Sequence, residues 1–309
     1  MRERNAVTRF AACLLLLAAC SNDTGSGPGG ETTRHAIKAG VLANSALTEA
    51  SGLAHSNKQD DLIWAINDGG SPATLYAVGY DGSDLGEVRM SDLQNVDWED
   101  LASFEYDGKS MLLIADVGDN LGSRSHVTLF IVDEPDPRQQ AGALSWQISL
   151  RFPDGPRDVE AVTVDSQEGL VYLLAKRTIP AELYSVPLHP ADEDETAVVT
   201  AKYLGTVASL PQPTERDRKR ALLEMNWHWQ PTAMEFSRDG NVAVILTYRA
   251  AYLYSRQDNE PWLDTLQRTP HVFALGSIKE AEAVTLAGNS IFVTVEAKRA
   301  PLYRINPDY

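Results

Sequence analysis

The sequence predicts an all-β fold: a β-propeller of four-stranded blades, with five blades by repeat count and room for a sixth, degenerate one. Three observations predict it. The same phrase recurs five times along the 309 residues: a polar pair, a small apolar run, a hydrophobic strand, then a strand built on Leu-aromatic or Tyr-Leu-Tyr. The repeated units are short strands alone, the mark of a radial or solenoid β architecture. The last copy is one strand short, and an unassigned strand-like segment stands at the other end of the domain. Pairing these two closes the ring and removes the exposed sheet edges.

The elements follow in order. The first copy reads Glu49-Ala-Ser51-Gly-Leu-Ala, LIWAIN ending at Asn67, and LYAV from Leu75. The second reads Asp97-Trp-Glu99-Asp-Leu-Ala, MLLIAD ending at Asp116, and LFIV from Leu129. The third reads Asp158-Val-Glu160-Ala-Val-Thr, LVYLLAK ending at Lys176, and LYSV from Leu183. The fourth reads Gln230-Pro-Thr232-Ala-Met-Glu, VAVILTY ending at Tyr248, and YLYS from Tyr252. The fifth reads Glu280-Ala-Glu282-Ala-Val-Thr, IFVTVE ending at Glu296, and LYRI from Leu302.

Turn signals such as Asp107-Gly108 and Asp239-Gly240 separate the first two strands of most copies. Outer strands are expected at Leu85, Leu144, Ala201 and His271, and the missing fifth is supplied by HAIKAGVLA from His35. The copies, taken at Ser51, Glu99, Glu160, Thr232 and Glu282, lie 48, 61, 72 and 50 residues apart. The longest interval holds TERDRKRALLEM, which has helix-forming composition and a threonine cap with acids behind it.

The first 19 residues form a targeting segment, with Arg2, Arg4 and Arg9 ahead of an apolar run too short to span a bilayer. The run ends in Leu-Ala-Ala-Cys20, which resembles a bacterial lipobox. In that class of signal the cysteine is lipidated, so Cys20 is the expected lipid site. The membrane is then a partner through the anchor. Ser21 implies an outer-membrane address in a two-membrane host. Residues 20–34 are Gly-rich and polar and read as a flexible tether, leaving 35–309 as the propeller domain. The only other cysteine is Cys13, so the domain is expected to hold neither disulfide nor thiol chemistry.

A net charge of −16 argues against nucleic acid as a partner and favours cations. No HExxH motif, no zinc-like histidine spacing and no Gly-x-Ser-x-Gly elbow occurs, so zinc-protease and Ser-His-Asp chemistry have no support.

In a propeller the first strand of each blade lines the central channel. Its start and the end of the second strand then open on one face. That places Glu99, Glu160 and Glu282 in one ring and Asn67, Asp116, Lys176, Tyr248 and Glu296 in another. Clustered carboxylates repel and need compensation, from Lys176, Arg177 and Arg249 or from a hard cation; an all-oxygen donor set suits calcium. The expected metal ligands are Glu99, Asp116, Glu160, Glu282 and Glu296. Asn67, Asp68, Arg177, Tyr248 and the segment Trp227-His228-Trp229 are expected to hold a ligand. Glu160, Glu282, Lys176 and Arg249 are the catalytic candidates if the site turns over substrate. The same acids can equally be structural, accepting backbone N–H groups.

The phrases Glu-Ala-Glu282-Ala-Val-Thr and Ile-Phe-Val-Thr-Val-Glu296-Ala-Lys, followed by Leu-Tyr, resemble repeats of calcium-dependent β-propeller phytases and of the related esterase-like activity of phytase domains. Ser51-Gly-Leu-Ala, with Leu-Ile-Trp-Ala-Ile-Asn67-Asp68, resembles the opening of SdiA-regulated envelope propellers. The resemblance spans residues 45–309 as a repeat pattern. It implies calcium bound by Glu99, Glu160, Glu282, Asp116 and Glu296. It implies either a lipid-anchored envelope protein binding a ligand or an envelope partner, or a metal-dependent phosphoesterase or esterase. The dense basic cluster of a phytase is missing here.

Overall fold

In the computed structural model the described residues are 36–189, 197–224, 227–258, 260–278 and 280–307. The signal segment, Cys20 and the tether lie outside them. No helix among the described residues is long and apolar enough to cross a membrane.

Five sheets form a ring. Strands are numbered from the chain start, so the closing strand comes first. The closing strand β1 is Ile37–Val41. Blade one is β2 (Ala50–His55), β3 (Leu62–Asn67), β4 (Thr74–Gly79) and β5 (Asp84–Arg89). Blade two is β6 (Trp98–Tyr106), β7 (Lys109–Asp116), β8 (Val127–Asp133) and β9 (Leu144–Arg151). Blade three is β10 (Val159–Asp165), β11 (Leu170–Ala175), β12 (Ala181–Pro187) and β14 (Lys202–Val207), with β13 (Val198–Thr200) running parallel to β9 on the outer edge of blade two. Blade four is β15 (Pro231–Phe236), β16 (Val242–Thr247), β17 (Ala250–Ser255) and β18 (His271–Ala274). Blade five is β19 (Ala281–Ala287), β20 (Ser290–Val295) and β21 (Pro301–Ile305), completed by β1.

The closure expected from the sequence is therefore present: β1 pairs antiparallel with β21, Ile37 opposite Arg304 and Val41 opposite Pro301. Among the described residues the longest interval holds no sixth blade. It holds α1 (Glu215–Glu224), whose Thr214 and Asp217 make a reciprocal capping box. A second helix, α2 (Trp262–Gln267), was not foreseen; Trp262 stacks on Phe236 at 3.7 Å and donates to Asp165 Oδ2 at 2.7 Å.

Each middle strand is sandwiched between neighbouring blades and reads as an unbroken apolar run because both its faces are buried. Outer strands such as β5 and β9 alternate with solvent. The core is accordingly five wedges, one per interface between blades; for example, Trp64 and Trp98 fill the wedge between blades one and two. Burying each such side chain is worth roughly 1.5–3 kcal/mol.

The innermost strands β2, β6, β10, β15 and β19 face the channel with a free edge, whose N–H groups need acceptors. Polar side chains of neighbouring blades supply them. Thr163 Oγ1 accepts from Phe236 N (3.0 Å) and Thr285 Oγ1 from His55 N (2.8 Å). Asp100 Oδ2 accepts from Val162 N (2.8 Å) and from Met234 N (3.3 Å), and its Oδ1 from Leu101 N (2.9 Å). Glu235 accepts from Leu286 N, and Ser51 Oγ donates to Trp98 O at 2.9 Å. These bonds tie every adjacent pair of blades, so side chains bolt the ring together where no sheet pairing can.

Candidate functional site

One irregularity is repeated in all five blades. The pairing of each innermost strand with the second strand slips by one residue at its start, between Ala50 and Gly52, Trp98 and Asp100, Val159 and Ala161, Pro231 and Ala233, and Ala281 and Ala283. The residue left over in each case is Ser51, Glu99, Glu160, Thr232 or Glu282. A β-bulge breaks the alternation of faces and re-aims its extra side chain. The polar ring read from the repeats is thus a ring of bulge residues. Glu99 and Asp100, consecutive in sequence, can serve different environments for this reason.

The carboxylates converge. Oxygens of Asp68, Asp97 and Glu99 lie within 4.8 Å of one another, and so do those of Glu99, Asp158 and Glu160. Glu99 belongs to both groups, and these buried acidic clusters have the composition to hold a metal ion. Two loops close tightly over them. Gly118 and Gly69 run so near that a Cβ on Gly118 would overlap Glu99 Oε1 and Asp97 Oδ2, and one on Gly69 would overlap Asp97 Oδ1.

Among the described residues one buried cation stands beside them. Lys176 Nζ pairs with Glu160 Oε1 and sits 5.3 Å from the centre of the Tyr248 ring. Burial opposes its charge, but Glu160, Tyr248 and Glu282 more than offset that and hold the ammonium's pKa up. Burial pushes the Glu160 carboxyl up to about 7 against the pull of Lys176. Burial and then the charges of Glu160, Asp68 and Asp97 drive Glu99 well above the carboxylate range. Glu282 is raised in the same way by burial and then Glu160. Asp97 is pushed up to about 6 by burial and by Asp68. Asp68 and the exposed Glu296 are raised too, by burial first and by neighbouring acids second. The mouth therefore stores repulsion that one lysine does not cancel.

Register sorts the second expected ring into two sets. Asn67 and Asp116 pair with Ala50 and Trp98, whereas the positions pairing with Val159, Pro231 and Ala281 are Ala175, Thr247 and Val295. Lys176, Tyr248 and Glu296 are one residue further on, equivalent to Asp68. One step along a strand reverses the face. Asn67 is spent on its own blade, accepting from Thr48 N and Glu49 N (both 3.0 Å) and donating to Ala46 O (2.8 Å). Asp116 does the equivalent work in blade two, accepting from Val96 N at 3.0 Å. It also meets Arg124 at 2.7 Å, off the hydrogen-bonding axis. Neither belongs to the carboxylate triads.

Asp158 accepts from Asp119 N (3.0 Å) and from Arg177 Nε (2.5 Å), and Arg177 also reaches Asn120. This clamp fixes the 117–124 loop beside the mouth, with Leu121 at its tip 90% exposed. Arg249 contributes backbone bonds to Thr247 and Leu275. Trp229 is buried, while Trp227 and His228 are half-buried around it with ring centres at 5.7 and 5.0 Å from that of Trp229. This aromatic group lies outside both triads. Asp97 and Asp158 complete the triads; their signal in the sequence was the acid-x-Glu spacing itself.

No family model matches the chain, and no curated protein matches it. Among solved structures it is similar to the nidogen/laminin complex, with a TM-score of 0.43 and 12% identity over 81% of this chain and 73% of that one. It is also similar to a gluconolactonase from Xanthomonas campestris, with a TM-score of 0.43 and 11% identity over 85% and 87% of the two chains. A third is the Cps50 (Swd1) β-propeller domain of Myceliophteria thermophila, with a TM-score of 0.38 and 11% identity over 84% and 83%.

Proposed function

We propose that the acidic channel mouth binds a divalent cation, calcium by preference, and through it a ligand or a protein partner at the cell envelope. The observation that carries this reading is the pair of carboxylate triads sharing Glu99, each with its oxygens within 4.8 Å. An all-carboxylate set of oxygen donors suits a hard cation, and calcium accepts irregular oxygen cages more readily than magnesium, which demands a near-ideal octahedron. Glu99, Asp97, Asp68, Asp158 and Glu160 are the residues that would hold it. When bound, the ion supplies a Lewis-acidic centre and removes the repulsion among these acids. Arg177 and Lys176 then keep Asp158 and Glu160 in place, and the loop tip at Leu121 offers an apolar contact beside the ion.

A second reading is metal-dependent hydrolysis of a phosphoester or ester, in which Glu160, buried beside Lys176 with its carboxyl pushed up to about 7, would act as the general base. We further propose that Cys20 carries a lipid anchor, a reading supported by the lipobox-like Leu-Ala-Ala-Cys20 after an apolar run.

Calorimetric titration of the full chain with calcium at pH 7.5 tests the metal reading. A stoichiometric heat that Glu99→Gln abolishes is expected, because Glu99 is common to both triads. A flat titration of the folded wild type contradicts it. Release of the protein from membranes by Cys20→Ala tests the anchor.

A further inference from the structure

The loop from residue 117 to 124 lies between two unlike neighbours. On its inner side it rests on the acids of the mouth. Gly118 N donates to Asp97 O at 3.2 Å, and Asp119 N donates to Asp158 Oδ1 at 3.0 Å. A Cβ at Gly118 would already overlap Glu99 Oε1 and Asp97 Oδ2. No slack exists on this side, and close-packed contacts pass a displacement on rather than absorb it. On its outer side, toward the end of β9, lies a hollow of about 150 Å³ lined by Asp119, Arg124, His126, Phe152 and Arg157. The loop is tight against the mouth and has room to yield away from it.

The loop also holds its own shape. The Asp119 carboxylate accepts from Ser123 N (2.8 Å) and Arg124 N (3.0 Å), and Arg124 Nη1 donates to Gly118 O (2.9 Å). A push at Gly118 therefore reaches the tip, where Leu121 is 90% exposed. Arg177 adds a second link. Its guanidinium donates through Nε to Asp158 Oδ2 at 2.5 Å and through Nη2 to Asn120 Oδ1. One planar fork thus joins an acid of the second triad to the residue beside the tip.

We propose that a divalent cation at the triads sets the position of the 117–124 loop, with Arg177 as the positioning residue that couples the two, an inference that rests on the metal reading above. Carboxylates that repel one another press outward on Gly118 and drive the loop toward the hollow. Carboxylates that converge on an ion draw inward. Gly118, Asp119 and Asn120 then follow through their bonds to Asp97, Asp158 and Arg177. Leu121 is held in one place while the cation is bound, so an apolar partner segment meets a fixed tip with the cation and a shifting one without it. The coupling is reciprocal: whatever fixes the tip also tightens the cation.

The test is hydrogen exchange of the full chain at pH 7.5, with calcium and with chelator, beside calorimetry of the same samples. Loop amides exchange by local opening, those of the inner strands by larger unfolding. Calcium should slow the amides of residues 118–124 about tenfold, the usual order for coupled sites. The turn at Asp239-Gly240, at the other end of the channel, should not change. Arg177→Lys keeps a charge beside Asp158 but loses the fork, and Asn120→Ala removes only the exposed end of the bridge. Both variants should keep the heat of calcium binding and lose most of the slowing in the loop. Calcium heat with unaltered loop exchange overturns the proposal and leaves the metal reading standing. Equal slowing at Asp239-Gly240 also overturns it, because that is global stabilisation. Full slowing retained in both variants overturns the role of Arg177. Absence of heat together with unaltered exchange overturns the metal reading and this proposal with it.

Discussion

Two sets of buried acids occupy the same innermost strands and do opposite things. Asp100 and Glu235, deep in the channel, accept backbone N–H groups from the blades around them. Glu99 and Glu160, on the bulges at the mouth, converge, Lys176 pairs with Glu160, and Glu282 on the next bulge feels the charges of both Glu160 and Lys176. The first set stabilises the ring by pairing donors that would otherwise be orphaned. The second set costs stability until something positive arrives. The partner of a buried carboxylate, and not its burial, separates a bolt from a binding site.

The largest effect should come from removing Lys176, the only buried cation at the mouth among the described residues. Lys176→Met should destabilise the metal-free protein by about 3 kcal/mol at pH 7.5, since it leaves Glu160 buried and unpaired. Urea unfolding measures this, and saturating calcium should restore part of the loss. An unchanged unfolding midpoint would mean that the mouth carries no net repulsion.

The pH dependence comes next. The mouth carboxyls are raised in the folded state: Glu160 from 4.5 to about 7 and Asp97 from 3.8 to about 6. Between those values the folded chain binds more protons than the unfolded chain, so its stability falls as pH rises from about 4 to about 7. Metal-free protein should therefore melt higher at pH 5 than at pH 7.5, by an amount corresponding to roughly 1–3 kcal/mol. Calcium should raise the melting temperature at pH 7.5 and have much less effect at pH 5, where protons compete for the same oxygens. A melting temperature that climbs steadily from pH 5 to 7.5 without metal would place these acids with the bolts.

A smaller effect isolates the loop. Gly118→Ala would push a methyl group against Glu99 and Asp97 and should weaken calcium binding about tenfold while changing stability by about 1 kcal/mol. The smallest is Leu121→Ser at the exposed tip, expected to alter stability by less than about 0.5 kcal/mol. Its effect should show only in partner capture.

The repeat carried much of this in plain view. Blade number, ring closure by the 37–41 strand, the Thr214 cap and the acids at Glu99, Glu160 and Glu282 all follow from spacing and composition. The missing parts are those that periodicity cannot encode. An extra residue in a strand pair leaves no mark in the sequence of either strand, so the bulges were invisible. With them went the one-residue offset that turns Asn67 and Asp116 away from Lys176, Tyr248 and Glu296. Asp100 looks like the tail of an acid pair, because the N–H donors it serves lie 62 and 134 residues away on other blades. The helix at Trp262 is only six residues long and is held by contacts with Phe236 and Asp165, not by its own periodicity.

The adjoining pair Glu99 and Asp100 offers the most direct measurement. Urea unfolding of metal-free Glu99→Gln and Asp100→Asn at pH 7.5 compares two neutralised acids one residue apart. Glu99→Gln should raise stability by about 1 kcal/mol by relieving repulsion. Asp100→Asn should lower it by about 2 kcal/mol, because an amide accepts on one oxygen where three N–H groups now bond to two. Opposite signs are the predicted result. A loss of stability in both variants would contradict the division of these acids into site and bolt.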